Sequence, residues 1–166
     1  MSEYRRDHSV VSASGLRVAL VASRYHADIV GRMTDGAGAV FAELGGEPSA
    51  LERFIAPGSF ELPVIAAVAA RSGRFDAVVV LGCIVQGETR HDQVIANAIA
   101  GALADLSVEA GIPVGFGVLT VSDKSQAAAR AGGDVGNKGA EAMRAAIECV
   151  GAVRAASGER PAGALR

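Results

Sequence analysis

The chain has 166 residues, a net charge of −2 at pH 7, 50% hydrophobic residues and only 4% aromatic ones. That length suits one domain with a sizeable core. The sequence has no basic stripe and no apolar run of the roughly 18 residues that a bilayer requires, which excludes nucleic acid and membrane as expected partners.

Residues 1–14 are polar, with Glu3, Arg5, Arg6, Asp7 and His8, and lack the apolar heart of a signal peptide. A flexible segment over 1–15 and a cytoplasmic protein are therefore expected. Residues 18–22, Val-Ala-Leu-Val-Ala, read as a strand. A helix follows with Val30, Met33, Ala37, Val40, Phe41 and Leu44 on one face, and Gly45-Gly46 stops it. A weaker strand falls at 51–55. Pro57-Gly58 then turns the chain into a helix over 61–70, with Pro63 tolerated in its first turn. The run Ala-Val-Val-Val-Leu at 77–81 predicts a strand buried on both faces. The next helix covers 91–109, with an apolar stripe of Val94, Ile95, Ala98, Ile99, Ala102, Leu103 and Leu106. Gly111 and Pro113 end it.

Residues 114–121 form the fourth strand, and a short helix over 125–131 is broken by Gly132-Gly133. A last helix over 139–153 turns Met143, Ile147 and Val150 inward, and residues 154–166 form a small, polar, flexible tail. Cys83 and Cys149 lie in apolar segments outside any CxxC pair, so both read as buried small side chains rather than metal ligands. Strands that alternate with helices imply right-handed crossovers and a parallel sheet covered on both sides. The expected fold is a single α/β domain over 16–153, a flavodoxin-like three-layer sandwich with four parallel strands in the order 2-1-3-4.

Ligands of such sheets bind beyond the carboxyl ends of the strands. That rule selects four loops: Ser23-Arg24-Tyr25-His26, then 56–61, then 82–91, then 120–124. In the third loop, Gly82 and Gly87 let the backbone approach a ligand, and Glu88, Thr89, Arg90 and His91 crowd a helix start. Free N–H groups there suit a phosphate, and His91 is a candidate proton shuttle. The alternative is a plain capping segment, with Thr89 as the cap and His91 an exposed first-turn residue. Gly136-Asn137-Lys138-Gly139 is not a P-loop, so a phosphate also needs a side-chain anchor, for which Arg130 is the candidate against a merely solvated helix charge. Tyr25 offers a face to a flat heterocycle, or else packs at the rim on proline or Phe60. Glu61 can accept bonds from a polyol, and Ser59 can do so or cap the second helix. Phe60 and Phe116 read as core or interface residues.

Taken together, SRYH, APGSFELP, LGCIVQGETRH, FGVLTVSDKSQAAARAG and GNKG, in that order over about residues 16–151, resemble the lumazine synthase family. The resemblance implies an enzyme of riboflavin biosynthesis that condenses 5-amino-6-(D-ribitylamino)uracil with 3,4-dihydroxy-2-butanone 4-phosphate, without metal or cofactor. It implies that Tyr25 stacks on the pyrimidine, that Ser59, Phe60 and Glu61 hold the ribityl chain, and that Ile84 and Val85 meet the pyrimidine edge. Gly87, Glu88 and Thr89 would cradle the phosphate with Arg130, and His91 would be the general acid and base. Phe116, from a neighbouring subunit, would sandwich the ring, and Lys138 would stand at the rim. It further implies a homo-oligomer with sites between the subunits of a pentamer. Some members of the family pack pentamers into a hollow shell, for which riboflavin synthase would be the enclosed partner, and the short 130–139 segment permits such a shell.

Three positions depart from the family pattern: Gln86 where Arg is frequent, Asp92 where an aromatic follows the His, and His26 where Asn follows the stacking aromatic. Asp92 is thereby a candidate partner for His91. The competing readings are an archaeal-type riboflavin synthase, which has no need of the keto-phosphate, a flavin-binding module and a shell protein without activity.

Overall fold

The computed structural model describes residues 11–158. Four parallel strands, β1 (Val18–Ser23), β2 (Leu51–Ala56), β3 (Ala77–Val85) and β4 (Val114–Val121), form one sheet in the order β2-β1-β3-β4. Val18 lies opposite both Leu51 and Ala77, and Val78 lies opposite Val114, so all four strands start near one edge. Every residue of β1 is buried, as expected of a central parallel strand covered on both faces.

Alternation along the strands divides the core. Val18, Leu20, Val79 and Leu81 face one side with α1 (Ala27–Glu43) and α5 (Lys138–Ala156). Ala19, Val21, Val78 and Val80 face the other with α2 (Leu62–Arg71) and α3 (His91–Ala110). A short helix, α4 (Lys124–Ala129), leads into a small antiparallel hairpin of β5 (Ala131–Gly133) and β6 (Gly136–Asn137). Residues 48–50 form one 3₁₀ turn before β2.

The sheet order, the parallel register and the helices on both sides agree with the expected three-layer sandwich. Gly115 and Gly117 bring β4 under α5: a Cβ on Gly115 would collide with the Ala142 carbonyl oxygen, and one on Gly117 would press on Ala142 Cβ at 3.2 Å and collide with Leu81. The neighbouring Phe116 therefore points to the opposite face, where it is half-exposed. At the amino edge, Arg17 and Arg74 share Glu52, and Arg154 reaches Asp76 at 2.7 Å.

Several expectations need correction. β3 does not end at Leu81; residues 82–85 continue it by pairing with Val118 to Val121, although β1 has already ended. Gly82, expected to let the backbone approach a ligand, allows a tight packing instead: a Cβ there would sit 2.9 Å from Leu62 Cδ1. The stripe on α3 is only partly covered. Ile99, Leu103 and Leu106 are buried, whereas Val94, Ala98 and Ala102 are exposed, because α3 meets the sheet along a narrow line. Cys149 is exposed, one step off the inward face that carries Ile147 and Val150. Gly132-Gly133 does not simply break a helix; it belongs to the hairpin.

The last helix runs on to Ala156, into the segment expected to be a tail. Ala13 and Leu16 are buried in the core. The flexible ends expected within 1–15 and 154–166 lie outside the described residues for 1–10 and 159–166. Among the described residues, no helix is long and apolar enough to cross a membrane.

Candidate active site

The parallel register gathers the loops that follow β1, β2, β3 and β4 at one edge of the sheet. The backbone ties them to one another. Arg24 donates its N–H to Ala56 O at 2.8 Å, which joins the first loop to the end of β2. Gln86 donates to Val121 O at 2.8 Å, which joins the third loop to the end of β4.

In the first loop, the Ser23 hydroxyl donates to the Tyr25 carbonyl at 3.5 Å. His26 has φ 54°, making it the one non-glycine residue in the left-handed region among the described residues, and it is the N-cap of α1. His, like Asn and Asp, occupies that region more often than other non-glycine residues. The His26 ring meets Tyr25 edge-on at 5.1 Å, so His26, not Phe60, is the aromatic neighbour of Tyr25. The Tyr25 ring is 68% exposed.

In the second loop, Glu61 is the N-cap of α2, and neither it nor Ser59 supplies a side-chain cap. The Glu61 carboxylate folds back over Gly58, 2.9 Å from where a Cβ would stand. Ser59 Oγ leans toward β3, 3.1 Å from the Cβ position of Gly82. The glycine thus lets the second loop touch the third. Phe60 is 62% exposed.

Ile84 is buried in β3 and Val85 half-buried at its end. Gly87, Glu88, Thr89 and His91 are exposed. The N-cap of α3 is Arg90 rather than Thr89; the Thr89 hydroxyl instead accepts the His91 N–H at 3.4 Å. The first turn of a helix this long leaves N–H groups without intrahelical partners. Asp92 does not pair with His91. It turns into the fold, where it is buried and its Oδ1 finds no hydrogen-bond donor among the described residues.

After β4, Asp123 caps α4, accepting from Gln126 N–H at 2.9 Å and from the Ser125 hydroxyl at 2.6 Å. The Ser125 bond, then the backbone bonds, hold the Asp123 carboxyl below its ordinary range. Arg130 follows α4 as its C-cap rather than lying within it, and its Nη1 donates to Gln126 O at 3.2 Å. Lys138 opens α5 and pairs with Glu141 at 2.9 Å.

Two cavities of about 280 and 300 Å³ lie elsewhere. One is lined by Asp35, Phe41 and Arg53, the other by Phe75, Asp76 and Arg154. Neither includes a residue of the loops just described. In the single chain Tyr25, Phe60 and Phe116 are all exposed.

The 6,7-dimethyl-8-ribityllumazine synthase family model matches residues 15–154. The chain belongs to that family. The 6,7-dimethyl-8-ribityllumazine synthase of Deinococcus deserti is 42% identical over 142 residues, covering 86% of this chain and 91% of that protein. Those of Deinococcus radiodurans and Chlorobium chlorochromatii are each 42% identical over 144 residues, covering 87% of this chain and 93% of theirs. Lumazine synthases are transferases of riboflavin biosynthesis that act on small molecules, and this is the chain's function.

Sequence reasoning passed over Asn137 in this lumazine synthase chain, although it stands inside GNKG. Its Oδ1 accepts from Gly139 and Ala140 N–H at 2.9 and 3.2 Å, and its Nδ2 donates to Arg32 O at 2.9 Å. The signal was an Asn directly before a helical run, the usual place of an N-cap.

Proposed function

We propose that the carboxyl edge of the sheet is where 5-amino-6-(D-ribitylamino)uracil and 3,4-dihydroxy-2-butanone 4-phosphate condense to 6,7-dimethyl-8-ribityllumazine, in a site completed by a second copy of the chain. The observation that carries this reading is the exposure of three aromatic rings, Tyr25, Phe60 and Phe116, in or beside the loops at the carboxyl edge of the sheet in the single chain. The uncovered part of the α3 stripe, Val94, Ala98 and Ala102, supports it, since apolar surface of that kind marks a contact face.

Tyr25 stacks on the pyrimidine, and Phe116 of a neighbouring copy closes over it. Ser59, Glu61 and the backbone at Phe60 hold the ribityl chain. The backbone of Ile84 and Val85 meets the pyrimidine edge. Gly87, Glu88 and Thr89 offer N–H groups at the start of α3 to the phosphate, Arg130 supplies the opposing charge, and Lys138 stands at the rim.

The primary amine of the pyrimidine attacks the ketone, and the adduct loses water to form an imine. Loss of a proton from the hydroxyl-bearing carbon then expels phosphate and leaves an enol, which takes up a proton on its terminal carbon to become a ketone; attack by the ribitylamino nitrogen on that new carbonyl closes the ring with loss of a second water. Each step moves a proton, and His91 is the group that gives and takes it. Alignment of the two substrates supplies most of the acceleration.

The assembly is at least a pentamer acting in the cytoplasm. The short hairpin after Arg130 leaves pentamers free to pack into a shell, with riboflavin synthase as its enclosed partner. Mixing the two substrates with the protein and following the lumazine chromophore by absorbance tests the reaction. Replacing His91 with Ala slows turnover by roughly 10- to 1000-fold, and unchanged turnover removes it from the mechanism. A stable monomer in sedimentation at micromolar concentration rejects the shared site.

A further inference from the structure

Asn137 joins three pieces of the fold through one amide. Its Oδ1 caps α5 by accepting from Gly139 and Ala140 N–H, while its Nδ2 donates to the carbonyl of Arg32 on α1 at 2.9 Å. Asn137 also lies in the β5–β6 hairpin, opposite Ala131. The next residue, Lys138, donates its N–H to the carbonyl of Arg130 at 2.8 Å. Arg130 thus sits one residue before a strand whose partner position is Asn137, and it has a backbone bond to the residue after Asn137. Its side chain is less constrained, with one hydrogen bond to Gln126 O. The fold makes room for this amide: a Cβ on Gly36 of α1 would overlap the Asn137 side chain.

From this geometry we infer that Asn137 is a positioning residue for Arg130, fixing the hairpin against α1 and so fixing where the guanidinium can meet the phosphate of the keto-phosphate substrate. The inference rests on the reading of Arg130 as the phosphate anchor. The two halves of the amide do different work. Oδ1 starts α5, and Nδ2 sets the distance between α1 and the hairpin. Exchanging Asn137 for Asp keeps the acceptor that caps the helix and removes the donor to Arg32. A side chain that holds a charged group in register affects binding of the group's ligand without entering the chemistry.

The test compares Asn137→Asp, Arg130→Ala and the double variant in the intact assembly. It measures the Michaelis constants of both substrates, kcat, and inhibition by inorganic phosphate. Asn137→Asp raises the Michaelis constant for the keto-phosphate about 10-fold, the scale of a modest misplacement of a binding group. It weakens phosphate inhibition in parallel and leaves the pyrimidine constant unchanged. In the Arg130→Ala background the same exchange adds nothing, because the two residues act as one unit.

If Arg130→Ala itself leaves the keto-phosphate constant unchanged, the anchor reading fails and the positioning role falls with it. If Arg130→Ala raises that constant while Asn137→Asp does not, or if the two effects multiply, the anchor stands and the positioning role is overturned. Should Asn137→Asp not fold, Gly36→Ala displaces the same amide from the α1 side and must give the same selective rise; an unchanged constant there overturns the proposal.

Discussion

Gly139 is the point at which α5 touches α1, and replacing it with Ala has a calculable cost. A Cβ there would overlap the carbonyl oxygen, carbonyl carbon and Cα of Met33. All three are backbone atoms, so no rotamer change relieves the clash and the two helices must part. Overpacking of this kind costs about 1–3 kcal/mol. Parting the helices also strains the Asn137 cap, because the Gly139 N–H is one of the groups that Asn137 holds. Against this, Ala favours a helix over Gly by up to about 1 kcal/mol. The net expectation for Gly139→Ala is a loss of about 1–2 kcal/mol, or roughly 2–8 °C in melting temperature for a domain of this size.

Gly151 on the same helix is the internal control. It is exposed with nothing within 4 Å of its added Cβ, so Gly151→Ala should gain up to about 1 kcal/mol from propensity alone. Urea unfolding of both variants at one fixed protein concentration checks the pair. Equal stability of Gly139→Ala and the parent chain, or an equal loss from both substitutions, would refute the close-crossing argument.

Replacing His26 with Gly suits a left-handed backbone that costs side-chain-bearing residues about 1–2 kcal/mol, and it should raise stability in thermal unfolding; a loss would mean that the edge contact with Tyr25 outweighs the backbone term. Burial pushes the Cys83 thiol up to about 11, while Cys149 is exposed, so a thiol reagent at pH 8 should label one cysteine per native chain and two after unfolding. Labelling of both in the native protein contradicts that assignment. The folded Asp123 carboxyl titrates below its ordinary 3.8, so its cap of α4 contributes fully above that value and is lost as pH falls through the lowered one. The stability gap between the parent and Asp123→Ala should therefore be largest near neutrality and narrow on acidification, and a gap that widens in acid reverses the sign of the argument.

The sheet could be read from the sequence because its central strands are continuous apolar runs and its helices carry apolar positions at helical spacing. Val114–Val121 has the bounds that the pattern indicates, and Met33, Phe41, Met143 and Ile147 lie in the core where periodicity puts them. The errors share one physical origin: a residue type has several uses. Gly82 looked like an opening for a ligand and is a packing gap; Gly132 and Gly133 looked like a break and lie in a hairpin. On α3, sequence alone cannot tell apolar surface covered by the sheet from apolar surface left open, and Val94 proved to be open.

The loops of the candidate site were legible through the rule about carboxyl ends, but the contacts within them were not. The partner of Tyr25 is its neighbour His26, and the long-range bond from Asn137 to Arg32 spans 105 positions, which no local pattern can reveal.

The order β2-β1-β3-β4 has a consequence during synthesis. The first strand made ends up in the middle of the sheet, flanked by β2 and by β3. After β2 has docked, the other flank of β1 remains an open edge, apolar from Val18 to Ala22, until the ribosome has delivered the residues up to Ala77 and beyond. At about 5–20 residues per second this waiting period lasts seconds, long enough for two nascent chains on one message to pair through that edge. Release of aggregated nascent chains should therefore depend on how fast the segment between Ala56 and Ala77 is translated, and slow codons there should lower the yield of native protein.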